Sequence, residues 1–447
     1  MLGFVGLIIV VIGLIHLYLW KRLVRDPFKP GRVRRIGGIV AIVLALLVPA
    51  TLIGVRSGTV TWLAWPGYLW LALMFYLLVV LVVLEIPRLI ANLWLRAREK
   101  KSAPATAAAP SGSGASTQSA RPAGVVETQD ATKASSQPGA VGSQAGAADT
   151  QPGAVPVGGP AGDHNGPAGD DSQPGVDRRL LLARGAAIFA GLTAAGITGY
   201  GVKTALGGPR LDRFQVPIAK LPRGMDGTRL AVVSDIHLGP LAGVRHTERI
   251  VDLINSVDAD VVCVVGDLVD GTVAELGRAA APLAGIKSKR GAYFVTGNHE
   301  YYSGHQQWVD EVARLGIRPL RNERLELDGL DLAGVNDIGG EEFDDGPDYE
   351  RALGNRDTAR PVVLMAHQPV VARDVSAYGV DLQVSGHTHG GQMMPFNLLV
   401  KVEQPVVSGF GKVDGVPVYV TNGAGFWGPP VRVGAPPQVS LIELRTP

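Results

Sequence analysis

Cysteine is nearly absent from this chain: Cys263 is the only one among 447 residues. That excludes a disulfide within the chain. Cys263 lies inside the apolar run Val261–Val265, where it reads as a core residue of a strand. A thiol nucleophile would need exposure and a base beside it. Net charge is also sparse, at +2, and no basic stripe interleaved with aromatics appears, so no nucleic-acid partner is expected. A third scarcity is local. From Lys101 to about Val176 there is no aromatic residue and no Leu, Ile or Met; Ala, Gly, Pro, Ser and Gln dominate, with QPGAV at Gln137 and Gln151 and PAGD at Pro160 and Pro167. Such a stretch cannot offset its ordering entropy by burial, so residues 99–176 are expected to form a disordered Ala/Gly/Pro/Ser-rich linker. Its reach as a flexible coil is roughly 50 Å, and His164 within it is not expected to be a ligand.

Long apolar runs, by contrast, crowd the N-terminal part. Leu2–Trp20, Ile36–Val55 and Tyr68–Ile86 each have the length that crosses a bilayer. Trp62, Trp65, Tyr68 and Trp70 cluster near the start of the third, where interfacial aromatics are favoured. Leu2–Trp20 lacks a basic region before its apolar core and a small-residue cleavage site after it, so a retained span is expected rather than a signal peptide. His16 near its end is read as interfacial. Between the first two runs lie Lys21, Arg22, Arg25, Lys29, Arg32, Arg34 and Arg35; Arg88, Arg96, Arg98, Lys100 and Lys101 come after the third; the loop Arg56–Gly67 carries one basic residue. Positive-inside bias then predicts a three-span region over 1–98, multi-pass in the cytoplasmic membrane, with the Lys101 end in the cytoplasm. The spans hold no embedded charged pair of the kind transport requires; Glu85, near Arg88, reads as interfacial.

Asp177-Arg178-Arg179-Leu180-Leu181-Leu182 precedes an Ala/Gly-rich apolar run from Gly185 to about Leu206. Paired arginines followed by leucines and a mildly hydrophobic segment resemble a twin-arginine export signal. No clear A-x-A cleavage site comes after it. Residues 177–207 are therefore expected to be such a signal or a fourth span, with a helix of the soluble domain as the alternative. Either of the first two puts residues 208–447 in an extracytoplasmic domain.

From Arg229 onward the pattern is α/β. Leu230–Val233, Val261–Val265, Ala292–Thr296, Val362–Ala366 and Leu382–Val384 read as buried strands, with Leu325–Val335, Val416–Thr421 and Val439–Leu444 supplying more. Arg245–Val257 and His305–Leu315 have helical spacing. The segments just after the five buried strands are rich in donors: Ser234-Asp235-Ile236-His237, Gly266-Asp267-Leu268-Val269-Asp270, Gly297-Asn298-His299-Glu300, His367-Gln368-Pro369 and Ser385-Gly386-His387-Thr388-His389. Open α/β folds bind ligands at the carboxyl ends of strands, where such loops converge. Five of the nine histidines lie in these loops. Oxygen and imidazole donors without thiolates suit Mn, Fe, Zn or similar ions. Gly266, Gly297 and Gly386 precede donors and are expected to permit sharp turns.

Taken in this order, Asp235-x-His237, Gly266-Asp267-x-x-Asp270, Gly297-Asn298-His299-Glu300, His367 and Gly386-His387-x-His389 resemble the calcineurin-like metallophosphoesterase superfamily. The fuller wording SDIHLG, GNHEYY, AHQP and GHTHGGQ is most similar to its bacterial membrane-associated branch, the YkuE- and YaeI-like phosphodiesterases. The resemblance spans about Arg229 to Leu444 and implies a metallophosphoesterase-type β-sandwich flanked by helices. It further implies two divalent metal ions, the first held by Asp235, His237, Asp267 and His389, the second by Asp267, Asn298, His367 and His387, with Asp267 shared. His299 would be the catalytic proton donor beside the substrate, and Asp270 and Glu300 would orient the ligating histidines. Two such cations activate a hydroxide for in-line attack on phosphorus and neutralise the charge that develops.

The function this predicts is membrane-anchored, metal-dependent hydrolysis of a phosphodiester or phosphomonoester. Anchoring favours a lipid-linked or envelope phosphoester as substrate. A pyrophosphatase of a nucleotide-linked lipid and a non-catalytic metal-binding scaffold module are the competing functions. Asn336-Asp337 reads as a turn; Phe426-Trp427 and Tyr301-Tyr302 are open between groove-lining and packing roles.

Overall fold

The structure is a computed structural model that describes residues 2–102 and 178–447; nearly all of the expected linker lies outside them. Four helices are long and apolar enough to cross a membrane: α1 (Leu2–Trp20), α2 (Arg32–Arg56), α3 (Ala64–Ser102) and α4 (Arg178–Leu206). At one end of this group Arg22 pairs with Glu85 at 2.5 Å, and Arg184 Nε donates to the Pro27 carbonyl at 3.0 Å. The opposite ends meet the remainder of the chain. Arg56 places its guanidinium 5.3 Å from the centre of the Tyr302 ring, the Tyr68 ring lies against Gly428, and the Arg432 amide donates to the Gly201 carbonyl.

After α4 come, in order, β1 (Arg210–Pro217), β2 (Arg229–Val233), α5 (Val244–Asn255), β3 (Val261–Val265), α6 (Val273–Ala280), β4 (Ala292–Val295), α7 (Asn298–Tyr302), α8 (His305–Arg314), β5 (Arg318–Pro319), β6 (Glu323–Leu327), β7 (Leu330–Gly334), α9 (Tyr349–Leu353), β8 (Val362–Met365), β9 (Leu382–Ser385), α10 (Asn397–Glu403), β10 (Gly409–Val413), β11 (Val416–Val420) and β12 (Gln438–Arg445). They build two six-stranded sheets, ordered β1-β12-β2-β3-β4-β5 and β10-β11-β9-β8-β7-β6. This is the α/β sandwich the sequence predicts. The run Leu325–Val335 folds as a hairpin rather than one strand: Asp328 and Gly329 both take positive φ, the conformation of a tight two-residue turn.

Every second residue of the central strands enters the space between the sheets. Leu230, Val232, Val261, Cys263 and Val265 face Leu332, Val363, Met365, Leu382 and Val384 there. The alternate residues Ala231, Val233, Val262 and Val264 pack outward against Ile250, Ile254, Trp308 and Val312 of α5 and α8. Strands buried on both faces read as unbroken apolar runs, which is why VVCVV shows no alternation. Cys263 sits in this core, and burial pushes its thiol up to about 12, so it is a packing residue as expected.

On α5, His246 is buried beneath Phe426, with ring centroids 6.3 Å apart. Burial, with help from Arg249, pulls it down to about 4, whereas an imidazole in the unfolded chain titrates near 6.5. The folded state therefore binds fewer protons between those values. His246 contributes fully above about pH 6.5, and the contribution is lost as pH falls toward 4. In chemical unfolding of the detergent-solubilised chain, the acid loss should be smaller for His246→Gln than for wild type by ~2 kcal/mol between pH 7 and 5.

Candidate metal centre

Five loops at the carboxyl ends of β2, β3, β4, β8 and β9 converge, and with them all seven candidate ligands. Asp235, His237 and His389 form one group of donors; Asp267, His367 and His387 form a second. Asp267 lies between them: its Oδ2 is 3.8 Å from His237 Nε2 and 3.1 Å from His367 Nε2. His237 Nε2 and His389 Nε2 are 2.9 Å apart, and His389 Nε2 is 3.4 Å from Asp235 Oδ1. Asn298 Oδ1 joins the second group at 3.0 Å from His387 Nδ1.

The local backbone is bent to achieve this. Asp235, His237, Asp267, His387 and His389 all adopt φ between 47° and 69°. That left-handed region costs a residue with a Cβ about 1 kcal/mol or more, and it persists only where surrounding structure dictates it. Of the three glycines expected at sharp turns, Gly266 alone has positive φ. Gly297 and Gly386 are required for space instead: a Cβ on Gly297 would collide with the Asp267 carboxylate, and one on Gly386 with Asp235 and Ser234.

Buried side chains hold the loops. Glu300 does not orient a histidine, the role expected of it. Its carboxylate accepts the amides of Asp267 (3.0 Å), Leu268 (2.7 Å) and Gly297 (2.6 Å), tying the β3 loop to the β4 loop. Asp235 accepts the His387 amide at 3.0 Å, joining the β2 loop to the β9 loop. Asp270 does orient histidines, accepting from His237 Nδ1 at 2.9 Å and His299 Nδ1 at 2.7 Å. His367 Nδ1 donates to the Val265 carbonyl at 2.8 Å.

These bonds determine where the free nitrogens point, and those nitrogens decide whether the donor set fits a cation. With Nδ1 engaged as donors, His237 and His367 present Nε2 lone pairs inward, toward buried carboxylates. His367 Nε2 is buried without a hydrogen-bond partner. Lone pairs and carboxylates converging on one water-poor space repel each other unless a cation lies among them. The residues fit divalent ions.

Ionisation agrees with ligand roles at Asp267 and His389 but not at His367, where burial opposes the charge yet Asp267 pushes the ring well above the usual imidazole range. Burial lifts Asp267, yet His367, His299 and His237 outweigh it and hold the carboxyl well below its usual range. Burial dominates at His389, keeping it neutral, with His237 and Arg432 acting in the same direction. His299 is the contrasting case. Burial opposes its charge, but Asp267 and Asp270 push it up to about 9.

His299 stands at the open side of the site, with the rings of Tyr302 and Trp427 at 5.7 and 6.1 Å. Both tandem aromatic pairs split between the two roles open to them. Trp427 and Tyr302 are exposed at the mouth, whereas Phe426 packs with Ala205 and Ala242, and Tyr301 is buried and bonded to Asp345. Asn336 and Asp337 form a buried turn: Asp337 accepts from Gly339 N and Gln368 Nε2, and Asn336 bonds Asp345. Arg432 escaped sequence reasoning. A single arginine in the loop Gly428–Gly434 carries no motif, yet its side chain is fully buried, donating to His389 Nδ1 (3.1 Å), the His389 carbonyl (3.0 Å) and the Asn422 and Gly423 carbonyls.

Similarity to known proteins runs along the same residues. The family model for calcineurin-like phosphoesterases matches residues 228–391. A metallophosphoesterase of Aquifex aeolicus is 32% identical over 244 residues, covering 53% of this chain and 92% of that protein. The chain belongs to the calcineurin-like metallophosphoesterases. Within them it sits in the YkuE-like branch: YkuE of Bacillus subtilis is 28% identical over 284 residues, covering 60% of this chain and 97% of its own. A transmembrane protein with metallophosphoesterase domain from Danio rerio is 36% identical over 260 residues, covering 55% of this chain. This chain spans 60% of that relative's length. Four helices among its described residues are long and apolar enough to cross a membrane.

Arg432→Met keeps the buried volume and deletes the hydrogen bonds that support His389. Without the bonds to the His389, Asn422 and Gly423 carbonyls the loop carrying His389 is no longer fixed, and metal binding is expected to weaken roughly tenfold, measured by competition with a chelator. Gly201→Leu should shift affinity in the same direction, because its side chain would collide with Val431 and displace the Arg432 backbone.

Proposed function

We propose that this protein is a membrane-anchored phosphoesterase that uses two divalent cations, held by Asp235, His237, Asp267 and His389 and by Asp267, Asn298, His367 and His387, to hydrolyse a lipid-linked or other membrane-associated phosphoester. One observation carries the proposal: seven oxygen and imidazole donors meet around Asp267, with His299 held by the Asp270 carboxylate at the open edge. Bound cations supply Lewis acidity, offsetting charge on phosphoryl oxygens and bringing a nearby water's pKa toward neutrality. The chain's own contribution begins with Asp270, which fixes the His299 ring and stabilises its charge. His299 then presents Nε2 toward the mouth, where it donates to a phosphoryl oxygen or protonates the departing alkoxide. Half-buried Asn298 and His387 line the same edge, while Trp427 and Tyr302 flank the leaving group. A binding or scaffold module has no use for a proton donor held in this way. The same centre would serve a pyrophosphatase; the contacts of the mouth with α2 and α3 favour the membrane-associated ester.

The domain layout supported is a membrane region over 1–98, a linker over 99–176, a fourth span within 177–207 and the hydrolase over 208–447. Retention of α4 is favoured over cleavage after a twin-arginine signal, because Gly201 is packed against the Val431–Val433 segment. Lys21, Arg22, Arg25, Arg32, Arg34, Arg35, Arg88 and Arg184 lie at the helix ends away from the hydrolase, against Arg56 and Lys203 at the near ends. Positive-inside bias supports an extracytoplasmic hydrolase in the cytoplasmic membrane.

The test is turnover of a bis-aryl phosphodiester and an aryl phosphomonoester by the purified full chain, metal-stripped and with added Mn. Turnover should require metal, vanish in Asp267→Asn together with metal content, and fall roughly 10²–10⁴-fold in His299→Ala with metal content retained. The faster ester distinguishes diesterase from monoesterase. A folded, metal-loaded chain inert toward a broad phosphoester panel would favour the scaffold reading.

A further inference from the structure

The loop that carries His387 and His389 runs directly into a segment with an apolar surface. From Met393 to Val402 the sequence is MMPFNLLVKV, with Lys401 its only charge. None of α10 is buried. Met394, Phe396, Leu398, Leu399 and Val402 are 44–85% exposed. A contiguous apolar surface of this kind on a water-facing domain marks a contact with another apolar phase.

Three observations identify that phase. The Phe396 ring meets Phe75 edge-on, with centroids 6.5 Å apart. Phe75 is seven residues beyond Tyr68 on α3, about 10 Å further along the helix axis. Met393 belongs to the apolar cluster that includes Ala72, Tyr76, Leu77 and Ala194 of the spanning helices. Trp62 in the α2–α3 connection and Trp65 in the first turn of α3, both exposed, mark the level of the interface above it. Phe75 is ten residues beyond Trp65, so a segment packed beside it lies about 15 Å below that level and has hydrocarbon, not water, around its outward face.

We propose that Met394–Val402 is inserted in the acyl layer of the leaflet next to α3, making the hydrolase itself a monotopic membrane domain whose metal centre opens at the lipid headgroups. This rests on α3 being a span. Lys401 borders a cavity of about 540 Å³ together with Asn397, Ser408 and Lys412, where its ammonium can reach phosphates while its stem stays among apolar groups. Insertion is coupled to the site by short range: a Cβ on Gly391 would clash with the Asn397 backbone, so α10 is packed directly on the turn that begins at His389. Substrate phosphoesters then reach the centre from the headgroup plane without leaving the membrane.

The experiment uses the full chain in a Cys263→Ala background, reconstituted in vesicles of phosphatidylcholine and phosphatidylglycerol. A fluorophore is attached at Leu399→Cys, Val402→Cys or, as an aqueous control on the β10–β11 turn, Asp414→Cys. Insertion requires that a nitroxide-labelled acyl chain quench the first two several-fold more than aqueous iodide does, with the order reversed at Asp414. Iodide quenching all three equally would overturn the proposal. So would protection of the first two from both quenchers, which would mean a protein partner or second copy covers the face. A triple Leu398→Ser, Leu399→Ser, Val402→Ser variant should retain turnover of a soluble aryl phosphodiester while losing several-fold on an aryl phosphoester of a vesicle-embedded lipid. An unchanged ratio between the two would overturn the role in substrate access. If wild type turned over neither ester, the hydrolase proposal would fail while the quenching pattern still decided insertion.

Discussion

A carboxylate in the interior must be compensated or neutralised, since desolvation of an isolated ion costs several kcal/mol even after relaxation. Asp267 is such a carboxylate, buried at the junction of two sheets and facing imidazoles from three other loops. It remains ionised because its neighbours can be positive or can share cations with it. The rest of the centre serves that position. Glu300 clamps the Asp267 and Gly297 amides, the Asp267 carboxylate accepts the His299 amide at 2.9 Å, and the glycines before and opposite it leave the only space its oxygens can use. Five left-handed residues are tolerated around it because this framework over-determines them.

The sheets make such over-determination possible. β2, β3 and β4 run parallel in one sheet, and β7, β8 and β9 run parallel in the other. Their carboxyl ends come together along one edge of the sandwich. Loops from the first sheet bring Asp235, His237, Asp267, Asn298 and His299; loops from the second bring His367, His387 and His389. Neither sheet holds a complete donor set. Separating the layers would break both groups, so packing between the sheets and the geometry of the centre are one property.

How much of this the sequence discloses depends on whether a feature is local. Parallel strands buried on both faces announce themselves as short apolar runs, and donors directly after those runs sit where strand ends must converge; hence the strands and the donor-rich loops are legible, while the choice of seven candidate ligands among their residues comes from the family resemblance. The hairpin at Asp328-Gly329 is legible too, as an Asp-Gly pair between the alternating residues Leu325, Leu327, Leu330 and Leu332, and reading Leu325–Val335 as one strand overlooks it. Glu300 misleads because its neighbours in sequence are ligands, while its partners in space are amides of another loop. Arg432 leaves no trace at all. An arginine becomes significant only when the chain folds back 43 residues to place it behind His389, and neither composition nor spacing records that contact.

The membrane helices alter the meaning of the linker. A coil with a reach of roughly 50 Å would allow a tethered enzyme to range over the membrane surface. A domain whose preceding helix is itself fixed does not have that freedom. α4 comes after the linker, and its Arg184 is bonded to the Pro27 carbonyl after α1, while its Gly201 supports the Arg432 backbone. Between these contacts lie about 17 residues of helix, roughly 26 Å, close to the thickness of a hydrocarbon core. Both ends of that span are held, one by the helix group and one by the loop behind His389. The position of residues 208–447 relative to the helices is governed by α4, by the Phe75–Phe396 contact and by the Arg56–Tyr302 contact at the mouth. Shortening the linker should leave the site unaffected, whereas loosening α4 reaches a candidate ligand through one arginine.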